Sequence, residues 1–326
     1  MILGLFPAVA EGGRYVDSMF RLGCNPRNAA LGHAGGSLIE DGAAFLDNPA
    51  NLSYLSQLNL QLMYLSQFGL ASYNHIGLSI PFETDFVFGV NYLLFRTEGI
   101  PVRPDIRHLG SLAQRDSSRS VAGNMAEMFS DREEACFLSL ARMYRWDLDF
   151  GWQYFKLPVE TPVGVNVKYL NRRIYTVRGS GVGLDLSAGL KFELSRLLDR
   201  RWMGKFGIAL LVADFTKTPV LWTTKSQDVI EPAFQWSWSY QQPVHKLRSV
   251  CNLVMRASTR YRDSFSWGME WNYRDLLALQ AGGVRKRYSA GLTISTRLRG
   301  IGTRLSYAVS SHTLGQSHQL SCSIFF

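Results

Sequence analysis

Along most of this chain, apolar and polar residues trade places one by one. From about Gln57 onward the period is two, the spacing of a strand with one apolar and one polar face. Val163, Val165, Val167 and Tyr169 alternate with Gly164, Asn166 and Lys168. Val182, Leu184, Leu186, Ala188, Leu190 and Phe192 alternate with Gly183, Asp185, Ser187, Gly189 and Lys191. Phe265, Trp267, Met269, Trp271 and Tyr273 alternate with Ser266, Gly268, Glu270 and Asn272, and Phe234, Trp236, Trp238 and Tyr240 with Gln235, Ser237 and Ser239. This rhythm predicts strands at about 57–66, 71–82, 84–97, 134–144, 161–175, 180–193, 205–215, 231–242, 247–259, 264–274, 276–285, 288–298, 301–311 and 316–326. That is about fourteen, an even number, as single-chain bacterial barrels have.

Alternation also suits a soluble sandwich. The aromatic density of the apolar face favours a membrane barrel, because Trp and Tyr gather at the two membrane interfaces. No apolar run approaches the ~18–20 residues that a spanning helix needs, a test that barrel strands escape. The expected fold is therefore all-β, a transmembrane antiparallel β-barrel of about 14 strands over 53–326. With both chain ends in the periplasm, the long loop 98–133 and the loop near 216–230 fall outside. The stretch 145–160 is long for a periplasmic turn. Within it, Trp146–Leu157 (WDLDFGWQYFKL) reads as an extra hairpin or as extended strand ends.

Ahead of the strands the pattern changes. Arg21–Leu52 (RLGCNPRNAALGHAGGSLIEDGAAFLDNPANL) is rich in small residues, and Pro26 and Pro49 break regular structure. A short helix around Asn28–Leu38 and a helical turn at Gly42–Leu46 are expected. The segment has too few large apolar residues to fold alone and must pack inside something else. Residues 11–52 are read as a lumenal plug, or hatch. In it, Pro49 fixes the chain and Asn48 can bond the backbone, so Asn48-Pro49-Ala50 forms a rigid turn. Ala8-Val9-Ala10 has the form of a signal-peptidase site, so 1–10 are read as the remnant of a signal peptide, with Glu11 as the mature start. Leu22-Gly23-Cys24 is not a lipoprotein box, since Arg21 stands where an apolar residue belongs.

The stretches Ala29-Ala30-Leu31-Gly32-His33-Ala34-Gly35-Gly36, Glu40-Asp41-Gly42-Ala43-Ala44 and Asp47-Asn48-Pro49-Ala50-Asn51-Leu52 resemble the N-terminal signature of the FadL/PorV superfamily of outer-membrane barrels, which includes similar spirochaete barrels. His33 stands where that family usually has Met, and Asn51 where it usually has Gly. The resemblance implies a channel for long-chain fatty acids or other hydrophobic small molecules in a diderm outer membrane. The plug, with Gly35, Gly36, Asp47, Asn48, Pro49 and Ala50, would gate it. The third strand would flank a lateral exit, with Gly89 as a candidate kink, and the aromatic terminus Phe326 would be the signal read by the barrel-assembly machinery. The alternatives are a PorV-like scaffold that holds a secreted-protein partner, and a structural surface barrel.

Composition narrows the rest. The chain is 46% hydrophobic with mean hydropathy −0.05, too polar for a helical membrane protein. Its net charge is +9, but the basic residues are scattered over turns (Arg172, Arg173, Arg200, Arg201, Arg285, Lys286), so nucleic acid is not an expected partner. The four cysteines form no C-x-x-C pair, which argues against zinc, and a disulfide framework is not expected in a chain this long; Cys136 and Cys322 fall at outward positions. Gly179–Gly183 (GSGVG) superficially resembles a phosphate loop, but no helix follows it. The histidines lack metal spacing and no G-x-S-x-G elbow appears. The reading is a non-enzyme with no catalytic residue, metal or cofactor. Lys168, Asp185, Lys191 and Glu270 lie on the polar face and are lumen-lining candidates, since charges facing lipid would be costly.

Overall fold

The computed structural model describes residues 16–83, 85–102, 111–117, 127–149, 151, 156–260 and 265–326. The proposed leader 1–10 and start at Glu11 lie outside the described residues. Strands follow in chain order: β1 (Asn59–Gln67), β2 (Ala71–Pro81), β3 (Phe86–Pro101), β4 (Met128–Asp149), β5 (Lys156–Ile174), β6 (Val177–Glu193), β7 (Lys205–Ala213), β8 (Thr218–Trp222), β9 (Gln227–Ile230), β10 (Ala233–Val244), β11 (Ser249–Ser258), β12 (Phe265–Tyr273), β13 (Leu277–Val284), β14 (Arg287–Leu298), β15 (Ile301–His312) and β16 (Gly315–Phe325).

Every strand except β8 and β9 belongs to one closed antiparallel barrel of fourteen strands. Neighbours in sequence pair in space, and β7 pairs with β10 across the β8–β9 insertion. The seam joins the first and last strands, from Asn59 opposite Phe325 to Gln67 opposite Ser317. The Phe326 N–H extends it by donating to the Leu58 carbonyl at 3.0 Å. Closure satisfies both edges of the sheet, which a bilayer requires because it offers backbone groups no water. Short turns hold the register; Arg299 and Gly300, at φ 50° and 88°, form a two-residue connection between β14 and β15.

The side-chain alternation sorts as the sequence predicts. Leu62, Tyr64, Ile76, Leu138, Leu140, Val167, Tyr169, Met269, Leu279 and Leu320 point outward and are exposed. Phe234–Trp236 and Trp271–Tyr273 stack along the outside near opposite ends of their strands. From Phe265 to Tyr273 the outward face covers roughly 26 Å along the strand at ~3.3 Å per residue. With the usual strand tilt this approaches the ~25 Å apolar band of outer-membrane barrels. The molecule is a transmembrane β-barrel of the outer-membrane type.

Of the two readings of Trp146–Leu157, extended strand ends is the one found: β4 and β5 run on, paired from Arg145 opposite Glu160 to Asp149 opposite Lys156. Three other expectations change. The loop near 216–230 holds the β8–β9 hairpin, whose β8 pairs with the upper part of β6. The long loop contracts to 102–127, because β3 and β4 continue pairing beyond a register shift between Thr97 and Ile100. Finally, the inward face is not uniformly small and polar. Met63, Leu65, Tyr73, Leu93, Phe137 and Leu170 face inward and form an apolar sector of the wall.

Candidate functional site: the lumenal plug and the cavity beside it

The plug packs within the barrel as short pieces rather than one helix. Asn25 caps helix α1 (Pro26–Ala30): Pro26 stands at the first helical position, and the Asn25 side chain accepts from Arg27 N and Asn28 N. The helix expected over Asn28–Leu38 stops at Ala30, since Gly32 and His33 both take positive φ, 64° and 60°. Tight 3-10 turns follow at Gly35–Ser37, Gly42–Leu46 and Pro49–Tyr54. The second is capped by Asp41, which accepts from Ala43 N, and the third by Asn48. Phe45, Leu52, Leu38 and Ile39 bury against the apolar sector of the wall, with Phe45 5.0 Å from the Phe137 ring.

Asn48 sits at the centre of a small polar knot. Its Oδ1 accepts from Ala50 N at 3.2 Å, while its Nδ2 donates to the Gly36 carbonyl at 2.8 Å and to Asn51 Oδ1 at 3.0 Å. Asn51 in turn donates to the carbonyls of Gly36 (3.0 Å) and Ile39 (2.8 Å). The two asparagines thereby tie the Gly35–Ser37 turn to the Pro49–Tyr54 turn. Ala50 N also donates to Ser187 Oγ on β6 at 2.8 Å, so Asn48-Pro49-Ala50 is fixed to the wall. Asn51 was marked in the sequence only as a departure from the family pattern.

All four lumen-lining candidates face inward and are buried, and every one is paired. Two of them hold the plug. Glu270 receives both Nε (2.6 Å) and Nη2 (2.7 Å) of the plug's Arg27, and further donation from Asn252 (2.8 Å) and Gln280 (3.0 Å). Lys191 pairs with the plug's Glu40. The other pair stays within the wall: Lys168 Nζ lies 2.7 Å from Asp185 and 2.8 Å from Asp214. Asp214 also binds Arg260, and Arg260 reaches Asp17 in the plug at 2.9 Å. Sequence reasoning missed Arg27, Glu40, Asp17, Asp214 and Arg260. A charge inside a small-residue plug was the available signal for Arg27 and Glu40; the turn residues carried none.

Wall glycines make the seat. A Cβ on Gly164 would lie 2.3 Å from Ala50 N, and one on Gly282 would lie 2.3 Å from the Leu31 carbonyl carbon. Gly268 and Gly291 meet the plug as closely. The Gly179–Gly183 run has a different use. Added Cβ atoms at Gly179, Gly181 and Gly183 would strike Trp222, Pro219 and Thr218, so this run seats the β8–β9 hairpin on β6. Gly89 contacts Leu52 of the plug, but the ladder runs unbroken through it, opposite Ser79 and Ser139; the irregularity in β3 falls instead at Thr97–Ile100. Gly89 thus lies where the wall approaches the plug closely, and the pairing register shows no irregularity there.

A cavity of about 370 Å³ lies between the plug and one end of β10, β11, β13–β16 and β1. It sits at the barrel end that carries the 102–127 loop. Phe20, Leu22, Leu46, His33 and Asp47 of the plug contribute to its lining. Burial pushes the Asp47 carboxyl up to about 6, against the opposing pull of Arg256 and Asn28.

A closed fourteen-strand barrel with an apolar belt and an N-terminal plug defines a class: plugged outer-membrane barrels. Among solved structures, the chain is similar to the TodX monoaromatic hydrocarbon channel in its deltaS2 mutant form (TM-score 0.50, 12% identity, 92% of this chain and 97% of that one). It is also similar to the Pseudomonas putida toluene transporter TodX (TM-score 0.48, 11% identity, 93% and 96% covered). A third is a Pseudomonas aeruginosa FadL homologue (TM-score 0.43, 11% identity, 93% and 98% covered). No protein-family model and no curated relative matches the sequence. At these identities the likeness is one of fold alone, the plugged barrel seen in the TodX deltaS2 structure.

Proposed function

We propose that the protein is a plugged outer-membrane channel for long-chain fatty acids or other hydrophobic small molecules, gated by its N-terminal segment, with the 102–127 loop facing outward. The observation that carries this reading is how the plug is held. It is fastened to the wall by ion pairs and hydrogen bonds (Arg27–Glu270, Lys191–Glu40, Ala50–Ser187) around a polar knot at Asn48 and Asn51. Water can replace such polar contacts when the plug shifts, while Phe45, Leu52, Leu38 and Ile39 hold the seated state by apolar packing on the wall. Gating needs only a ligand that binds the shifted state better than the seated one. Phe20, Leu22 and Leu46 give an apolar ligand its first contacts at the cavity.

The test is a titration of the refolded, detergent-solubilised barrel with labelled palmitate, beside Asn48→Ala. Saturable binding that changes in the variant supports the reading. Absence of saturable binding, with both proteins showing the heat-modifiable migration of a folded barrel, overturns it.

A further inference from the structure

On the outer surface of the barrel, four arginines stand side by side on four neighbouring strands. Arg96 on β3 lies opposite Arg132 on β4, Arg132 opposite Arg173 on β5, and Arg173 opposite Arg178 on β6. They share the outward face with the exposed Val90, Leu138, Val167 and Val182, an even number of residues away along the same strands. The row spans about 14 Å at the usual strand spacing. Two of its members have carboxylate partners: Arg96 pairs with Glu98 at 3.2 Å and Arg132 with Glu134 at 2.6 Å. Glu134 is further engaged by Tyr92 and Asn171, and Glu133 turns inward to Arg172. Arg173 and Arg178 are exposed, and among the described residues neither side chain has an ion-pair or hydrogen-bond partner. Like charges directly opposite each other on neighbouring strands destabilise a sheet. Arg173 and Arg178 form such a pair beside the β5–β6 turn.

The row also stands at a definite height. Arg132 and Arg142 lie on the outward face of β4, ten residues apart, with Cys136, Leu138 and Leu140 between them. That is roughly 33 Å along the strand, or about 25 Å across the membrane at the usual tilt, the height of the apolar band of outer-membrane barrels. The arginines thus lie where hydrocarbon gives way to headgroups, at the barrel end that carries the 102–127 loop. Toward the membrane centre come Asn171 and Ser180, then Tyr169 and Val182.

We infer that this row binds the anionic phosphate headgroup of a membrane lipid, with Arg173 and Arg178 as its anchors. The inference rests on the membrane-spanning barrel, and on neither the gating nor the substrate of the channel. A guanidinium presents paired donors to phosphate oxygens, and basic clusters beside the hydrocarbon attract anionic lipids. A phosphate set between Arg173 and Arg178 turns a repulsive pair into two charge-assisted contacts. The exposed Ser180 hydroxyl lies one step toward the hydrocarbon, within reach of the headgroup's ester and hydroxyl oxygens. Tyr169, Val167 and Val182 continue from there as exposed apolar surface for the acyl chains. A soluble phosphate would meet the arginines and leave that surface unused, so the occupant is a lipid.

The experiment is native mass spectrometry of the full, detergent-solubilised chain, titrated with palmitoyl-oleoyl phosphatidylglycerol or with phosphatidylcholine of the same acyl chains. The anionic lipid is expected to bind saturably and about tenfold or more tighter than the zwitterionic one, the scale of a hydrogen bond to a charged group. Arg173→Gln/Arg178→Gln, checked for heat-modifiable migration, should lose about tenfold or more of the phosphatidylglycerol affinity and little of the phosphatidylcholine affinity. The control Arg200→Gln/Arg201→Gln removes the same charge from an exposed turn at the opposite barrel end and should bind phosphatidylglycerol as the parent does. Glycerol phosphate in excess should not displace the lipid. Equal binding of the two lipids, a folded row variant that binds as the parent does, an equal loss in the control, or displacement by glycerol phosphate would each overturn the inference. Should the double variant fail to fold, Arg178→Gln alone is judged by the same measure. Palmitate binding reports on the channel reading and the lipid contrast on this outer row, so either can fail without the other.

Discussion

Gly164 and Gly282 carry no side chain where the plug backbone crosses them, and there a methyl group has nowhere to go. The atoms that a new Cβ would meet are main chain, which no rotamer change can move aside. Gly164→Ala/Gly282→Ala should therefore leave the barrel heat-modifiable while plug amides lose protection in hydrogen exchange, at an overpacking cost of about 1–3 kcal/mol per site. Full protection of the plug in that variant would show that the seat tolerates more bulk than the geometry allows. Asp47 makes a second residue-level prediction. Its carboxyl, pushed up to about 6, favours its protonated form when the plug is seated. The resulting stability is fully present below the unfolded carboxylate range and is lost as pH rises through about 6. Plug protection should accordingly rise from pH 7 to pH 5, and Asp47→Asn should flatten that dependence; an unchanged pH profile in the variant would point to another group.

At the scale of elements, the plug behaves as a separate body held by a few strong points. Arg27 and Glu270 form a two-pronged pair that is supported by Asn252 and Gln280, with the Glu270 side chain fully buried. Removing one member leaves the other uncompensated, a loss on the order of 3–5 kcal/mol for buried pairs. Glu270→Gln is thus expected to make the 16–55 segment markedly more sensitive to protease than the strands, which limited proteolysis in nanodiscs would read directly. Asn48→Ala should do less, about 1 kcal/mol for the lost cap, plus the Gly36 carbonyl contact it also serves. The β8–β9 hairpin is a third element of this kind. Its Val220 and Ile230 join the same buried cluster as Met19 and Phe20 of the plug, so it covers the plug's first turn.

For the whole molecule, the outward belt decides where the barrel resides. Met269 lies between Trp267 and Trp271, midway along the exposed face of β12. Met269→Arg puts a charge near the bilayer centre and should cost about 2–4 kcal/mol in denaturant-driven refolding into vesicles. The neighbouring inward position Gly268 belongs to the plug seat, so a change there should alter plug protection instead. If Met269→Arg were neutral, the apolar belt would not be the lipid-facing surface.

What the sequence settled by itself was the periodic part. Alternation over Val182–Phe192 or Phe265–Tyr273 fixes which residues share a face, because a strand turns each side chain opposite to its neighbours. From that came the strand count, the outward Cys136 and Cys322, and the inward Lys168, Asp185, Lys191 and Glu270. The Asn48-Pro49 step was also legible, since an Asn cap followed by Pro is a local device. Only the tertiary structure could supply the partners. Arg27 meets Glu270 across 243 positions of chain, and Ala50 meets Ser187 across 137, and no local pattern encodes a contact between segments so far apart. The apolar inward sector of Met63, Tyr73 and Phe137 escaped for a related reason. Once a plug shields one side of the lumen from water, apolar residues are stable on either face of those strands, and the two-fold alternation no longer says which one is wet.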